Sequence, residues 1–188
     1  MKGKAKIHTL RGYDFEGEYL NGKIWKGKIK KTHKCNREIW FEGEYKDGII
    51  WNVQGYDPLG NKDFEIKNGK GIFKKYKKIN KNVVKAYFEG EYNNGNINGK
   101  VIEYGYDDEK FEGYYLNGKK NGFCKEYDNK GNLRFEGDYF NGKRNGKGKE
   151  YDEKGILIYE GEYTNGERDI KVKKENIFIL WKSICLYD

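Results

Sequence analysis

The residues from which enzyme sites are most often assembled are scarce in this chain. Its 188 residues contain one serine (Ser183), two histidines (His8 and His33) and three cysteines (Cys35, Cys124 and Cys185). A Ser-His-Asp or Cys-His constellation requires such groups to converge on one another. Only His33 and Cys35 lie close in sequence, and no acid stands beside them to orient the imidazole. No Cys-x-x-Cys pair occurs, and the acids recur with the repeat described below, so no metal set is expected and no cofactor is called for. Unpaired, scattered cysteines and the lack of any Asn-x-Ser/Thr acceptor point to a reducing, cytoplasmic setting. The longest apolar run, Ile177–Trp181 resumed at Ile184–Tyr187, is short of the roughly 20 residues that span a bilayer. Met1 to Lys6 has no apolar stretch behind it, so no signal peptide is expected. Proline occurs once.

Glycine, aromatics and charge are abundant. There are 26 glycines, 17 tyrosines, 10 phenylalanines and 4 tryptophans, while only 36% of residues are hydrophobic and 36% are charged. Disordered chains lack so many aromatics, and a compact globule wants a larger apolar share. A thin sheet with one apolar and one charged face satisfies both. The net charge of +8 is uneven. Residues 1–34 and 62–85 each carry +7, and the remainder is mildly acidic.

One phrase recurs: an aromatic, Glu-Gly, an acid or tyrosine, then tyrosine. It stands at Phe15–Tyr19, Phe41–Tyr45, Phe88–Tyr92, Phe111–Tyr115, Phe135–Tyr139 and Tyr159–Tyr163. Steps between copies are 26, 47, 23, 24 and 24 residues, and a degenerate copy at Phe64-Glu65-Ile66 halves the 47. A fixed period in the twenties indicates a solenoid of seven units.

Each unit reads as strand, turn, strand, turn. In the copy from Phe135, aromatics and Gly137 alternate with Glu136 and Asp138, which is the period of a two-faced strand. Asn141-Gly142 and Asn145-Gly146 supply the positive-φ positions of turns. A second strand follows from Gly146 to Tyr151. The fold class expected is all-β: an elongated, single-layer antiparallel meander of fourteen strands, about 65 Å long at ~4.8 Å per strand. Pairing Asp138 with Lys147, Gly137 with Gly148 and Glu136 with Lys149 puts opposite charges together on one face. Flanking aromatics then cover the paired glycines on the other.

The stretches FEGEYLNGK, FEGDYFNGKRNGKGKEYD and YEGEYTNGERD resemble MORN repeats, the membrane occupation and recognition nexus family. The resemblance covers about residues 12–170 and is poorest at 62–76, where the first glycine is lost. It implies β-hairpin repeats forming an elongated curved sheet that acts as an interaction scaffold, sometimes at membranes. It implies no catalytic activity.

The expected organisation is a repeat array over 1–170 and a capping segment over 171–188, with a helix favoured over a strand because its polar positions recur about every seven residues. The N-terminal edge around Lys2–Leu10 has no comparable cover and pairs with another chain or with nothing. Ile24-Trp25 and Ile50-Trp51 replace the glycine-rich second turn in the first two copies, so the two tryptophans are expected along one edge. The principal functional expectation is a non-catalytic scaffold that binds a helix or peptide of a protein partner. Its contact residues would be Trp25, Trp51, Phe88, Tyr92, Tyr115, Phe135, Tyr139 and Tyr163 on the aromatic face. The alternative is peripheral attachment to anionic phospholipid on the cytoplasmic side of a membrane. Lys23, Lys26, Lys28, Lys30, Lys31, Lys74, Lys75, Lys77, Lys78 and Lys81 would hold the phosphates. Arginine is scarce, so sequence-specific nucleic-acid readout is not expected. Homo-oligomerisation through exposed sheet edges is a further option.

Overall fold

The computed structural model describes residues 2–9, 13–32, 39–78, 83–105 and 107–169. The expected cap over 171–188 lies outside them. Every described element is a strand or a turn. The strands are β1 (Lys2–Thr9), β2 (Tyr13–Leu20), β3 (Lys23–Thr32), β4 (Ile39–Lys46), β5 (Ile49–Tyr56), β6 (Lys62–Lys67), β7 (Lys70–Lys78) and β8 (Val84–Asn93). They continue as β9 (Asn96–Tyr104), β10 (Lys110–Leu116), β11 (Lys119–Lys120), β12 (Gly122–Tyr127), β13 (Leu133–Phe140), β14 (Lys143–Tyr151), β15 (Leu157–Thr164) and β16 (Glu167–Arg168). Each strand pairs antiparallel with the next in one open sheet, with the short β11 paired to β10.

The described residues form sixteen strands and not the expected fourteen. Lys2–Thr9, expected to be a bare N-terminal edge, is strand β1 and pairs with β2 from Lys2↔Leu20 to Thr9↔Tyr13. The other extra element comes from the fifth repeat, where the second strand is interrupted at Asn121 and divides into β11 and β12.

Seven hairpin turns define seven units. Each has a non-glycine residue and then a glycine at positive φ, as at Asn141 (φ 53) and Gly142 (φ 91). Two consecutive left-handed residues make the turn whose twist matches paired strands. The turns also bond to one another along the edge: Gly142 N donates to Lys120 O at 2.9 Å, and Gly166 N donates to Arg144 O at 2.9 Å. On the opposite edge, Asp128 Oδ1 accepts from the amides of Lys130 and Asn132, and Asp152 Oδ1 from those of Lys154 and Ile156. These carboxylates close the links between repeats.

The register in the sixth repeat is Glu136↔Lys149 and Gly137↔Gly148, as the charge pattern requires. The ladder then shifts, so that Tyr139 faces Arg144 and the Asp138–Lys147 pair does not form. Asn145-Gly146 is therefore no second turn. It lies inside β14 at the irregularity, with Gly146 at φ 100. The extra residues raise the local twist and let the aromatic of one strand lie across the next.

The buried apolar side chains gather on one face. Phe15, Ile29, Phe41, Val53, Phe64, Ile66 and Tyr92 form one buried cluster, and Phe111, Cys124, Phe135, Tyr139 and Tyr163 a second. The glycines make this possible. A Cβ on Gly137 would lie 2.6 Å from Gly148 Cα and 2.8 Å from the Phe135 ring, so bare backbone is the floor on which the ring rests. Rings then meet edge to face, with Phe135 5.4 Å from Tyr163 and 5.9 Å from Tyr139. Such pairs contribute about 0.5–1.5 kcal/mol beyond their burial.

Candidate interaction surface

The alternation of each strand gives the sheet two chemically different faces. On the buried face the closing tyrosine of each full phrase meets one side chain from the following strand. That side chain is isoleucine early in the chain, at Tyr19↔Ile24, Tyr45↔Ile50 and Tyr92↔Ile97. It is a cation later, at Tyr115↔Lys120, Tyr139↔Arg144 and Tyr163↔Arg168. Each cation lies over the phrase's first aromatic: Lys120 Nζ is 3.7 Å from the Phe111 centroid and Arg144 Cζ 3.9 Å from that of Phe135.

Three carboxylates complete this system. The Tyr115 hydroxyl donates to Glu103 at 2.9 Å, the Tyr163 hydroxyl to Glu150 at 2.6 Å, and the Tyr139 hydroxyl to Glu126. Arg144 bridges two of them, reaching Glu150 at 3.0 Å and also Glu126. Arg168 reaches Glu150 from the other side. Burial, and then the neighbouring carboxylates, push the hydroxyls of Tyr115, Tyr139 and Tyr163 above the usual tyrosine range. The Arg168 guanidinium holds Glu150 below the usual carboxylate range. The network is internally satisfied, so it consolidates the core and leaves no free nucleophile.

The rings expected to touch a partner are in this core. Phe88, Tyr92, Phe135, Tyr139 and Tyr163 are 0–8% exposed, and Tyr115 is half-buried. Their area is spent within the chain, because a single-layer sheet must stack its aromatics on neighbouring strands to gain any core. The two tryptophans are half-buried at the turn edge. A Cβ on Gly69 would lie 3.3 Å from the Trp51 ring, and one on Gly48 3.9 Å from that of Trp25. Each tryptophan thus seats the turn of the next repeat, and Lys46 covers Trp51 at 4.5 Å.

The lysines do not form one patch. Lys26 is 3.8 Å from Glu18, Lys28 stands between Glu16 and Glu44, and Lys30 between Asp14 and Glu42. Lys74 is 3.1 Å from Asp63 and 3.3 Å from Glu89. Lys77 donates to Gly105 O at 2.9 Å and meets Asp108 at 3.2 Å. Lys31 and Lys75 lie on the other face, each 4.9 Å from an aromatic centroid, Trp40 and Phe88 respectively. Lys23 is exposed at a turn. Lys78 is in β7, and Lys81 lies outside the described residues.

The opposite face is a field of alternating charge interrupted by apolar side chains, the most exposed of them near the β10–β13 turns. Tyr114 (46% exposed), Leu116 (51%), Phe123 (51%) and Phe140 (63%) come from β10, β12 and β13 and all point away from the core. Phe123 faces Asp138 across the ladder and borders a groove of about 520 Å³ between the charged rows, over Gly137, Gly148 and Gly161. Sequence reasoning missed these residues because it looked for function on the aromatic side of the alternation. The signal was present at Tyr114, where a tyrosine replaces the acid of the repeated phrase.

Among the described residues no group of three or more His, Cys, Asp or Glu side chains is placed to hold a metal ion, and no helix is long and apolar enough to cross a membrane. No curated protein matches the chain. The family model for the MORN repeat matches residues 88–100, 111–133, 135–156 and 159–169. MORN repeats are generally non-catalytic interaction or membrane-binding modules. The family matches recur with the period of the hairpin unit, so the repeats between residues 88 and 169 are similar to MORN repeats.

Proposed function

We propose that this chain is a non-catalytic scaffold that binds a helix or extended peptide of a protein partner on the open face of its MORN repeats. The contact centres on Tyr114, Leu116, Phe123 and Phe140. The observation that carries this reading is their exposure, 46–63%, on a face otherwise occupied by charges. Large aromatics left in water beside a groove are the kind of group that anchors an interface, and surrounding charges set register and exclude mismatched partners. A partner segment with apolar anchors and side chains of both signs fits the alternating rows.

The pairing of the lysines favours a protein over an anionic membrane. Lys28, Lys30 and Lys74 each stand between two carboxylates, so the field they offer a lipid surface is largely cancelled at close range. The test is affinity purification from the native cell with the wild-type chain and with F123S/F140S, circular dichroism confirming an unchanged fold. A partner recovered stoichiometrically with the wild type and reduced at least tenfold with the variant is expected. Equal recovery rejects the open face as the contact surface. Sedimentation with phosphatidylserine vesicles at low and high salt is the control, and salt-sensitive binding there, unchanged in the variant, favours the lysines.

A further inference from the structure

The charges of the open face have an order and a spacing. Along one row, Glu112↔Lys125, Lys125↔Glu136, Glu136↔Lys149 and Lys149↔Glu160 are direct cross-strand neighbours. The sign alternates at every strand along this row from β10 to β15. Lys125 meets Glu136 at 3.4 Å and Lys149 meets Glu160 at 3.5 Å, and the four side chains are 24–58% exposed. Ion pairs this open add little to the fold and keep hydrogen-bonding capacity for a second partner. The groove over Gly137, Gly148 and Gly161 runs beside the row, and Phe123 borders it on the far side.

Two physical limits decide what can lie along this row. The first is the backbone. β10, β12, β13 and β14 each have a strand on both sides, so their ladder groups are already engaged. An extended peptide gains affinity by adding to a sheet edge, and laid on this face its own amides meet no ladder. A helix closes its hydrogen bonds internally. The second limit is pitch. Four strand intervals of about 4.8 Å carry the row over about 19 Å. Side chains three and four residues apart on a helix advance by about 5.25 Å, so four steps cover about 21 Å. Alternate side chains of an extended chain advance by about 6.6 Å, and four steps cover about 26 Å. Flexible lysine and glutamate side chains absorb the first mismatch, about 2 Å, but not the second, about 7 Å.

We propose that the partner element on the open face is an amphipathic α-helix laid across the strands from β10 to β15, with charges of alternating sign on one stripe and apolar anchors on the next. The inference rests on the open-face contact proposed above and names its partner. Opposite Glu112, Glu136 and Glu160 the helix carries lysine or arginine. Opposite Lys125 and Lys149 it carries glutamate or aspartate. Successive charges stand three or four residues apart, the spacing at which side chains share one face of a helix. The apolar stripe lies toward Phe123 and Phe140, which are 51% and 63% exposed.

The same row rejects the wrong partners. A helix of a single sign meets a like charge at every second strand, and an apolar helix covers the ion pairs without replacing the water around them. Shifting a matched helix by one strand inverts every contact, so the row also fixes register.

Fluorescence anisotropy with the full chain and three synthetic peptides tests it. Each peptide is alanine-based, about 20 residues long so that it is helical in water, with leucine on the apolar stripe. The first carries Lys-Glu-Lys-Glu-Lys at the spacing above, the second has every sign reversed, and the third is the first with a central proline. The wild type is expected to bind the first at least tenfold more tightly than either of the others. The quadruple variant Lys125→Glu, Glu136→Lys, Lys149→Glu, Glu160→Lys exchanges both ion pairs and keeps the net charge. With its fold confirmed by circular dichroism, it is expected to prefer the second peptide. Equal affinity for the first two peptides in the wild type, a preference that the variant does not invert, undiminished binding of the proline peptide, or no binding of any peptide overturns the proposal. A native partner lost with F123S/F140S while the peptides show no sign selection sinks the helix and leaves the open-face contact standing. Sign selection that F123S/F140S does not weaken rejects the apolar contact on which both rest. Self-association of the chain that F123S/F140S abolishes assigns the face to a second copy and also overturns the proposal.

Discussion

Replacing Arg144 with methionine removes one side chain from three interactions at once. The guanidinium bridges Glu126 and Glu150 and lies 3.9 Å from the Phe135 centroid. Arg144 and Glu126 are each 27% exposed, so the charged hydrogen bonds rank between surface pairs and buried ones, about 1 kcal/mol each. Stacking on Phe135 adds about 0.5–1 kcal/mol. Methionine keeps much of the apolar cover, and neither carboxylate is orphaned, because Tyr139 still donates to Glu126 and both Tyr163 and Arg168 to Glu150. The expected loss is therefore about 2–3 kcal/mol and not the larger cost of an unpaired buried charge. Urea unfolding followed by far-ultraviolet circular dichroism reads this as a midpoint lowered by roughly 1 M. Arg144→Lys keeps the charge but loses the fork, and is expected to recover about half. A double-mutant cycle with Glu126→Gln is expected to show coupling of about 1 kcal/mol. A midpoint shift under about 0.2 M for Arg144→Met, or no coupling, refutes the bridging role.

Three other perturbations follow from the same geometry. Gly137→Val places carbon within 2.6 Å of Gly148 Cα and Lys147 O, so the β13–β14 pair must separate; a loss of about 3 kcal/mol or failure to fold is expected, whereas Phe123→Ala on the open face is expected within about 0.5 kcal/mol of wild type. Asn141→Ala keeps the β-carbon at φ 53 but removes the carboxamide that lets asparagine tolerate the left-handed region, and is expected to lower stability by about 1 kcal/mol in the same urea assay. The folded-state pKa values of Tyr115, Tyr139 and Tyr163 lie above the unfolded value, so their contribution is complete below about pH 10 and is lost as pH rises through the folded values. Glu150 has the opposite sign: its folded pKa is depressed, so its contribution is present above about pH 4.5 and fades as pH falls through the folded value. Tyrosinate absorbance is expected to show these three hydroxyls ionising only with loss of the sheet, and early ionisation would contradict their burial.

The fold was legible because it is written seven times. The Asn-Gly turns, the Glu-Gly-Glu strands and the lysine strands beside them each state a local preference, and repetition removes the ambiguity of any one copy. What escaped was set by small register changes. Asn145-Gly146 has the composition of a turn, but it lies inside β14, because Asn141-Gly142 has already reversed the chain and the extra residues enter as an irregularity. The lysine count over 1–34 suggested a free basic zone, yet pairing brings Glu42 and Glu44 of β4 against Lys30 and Lys28. The burial of the expected contact rings escaped for a more general reason. Periodicity shows that a strand has two faces, but it does not say which one the chain spends on its own core. Phe135, at 0% exposure, and Phe123, at 51%, differ by which side of the ladder they occupy and not by residue type.

That assignment of faces is tested most directly by hydroxyl-radical footprinting of the free chain, with modification rates read for individual aromatics. The geometry predicts that Phe123, Phe140 and Tyr114 react at least about tenfold faster than Phe135, Tyr139 and Tyr163, in proportion to the area each leaves in water. Equal rates in the two groups, or faster modification of Phe135 and Tyr139, would place the open surface on the other side of the sheet and contradict the account.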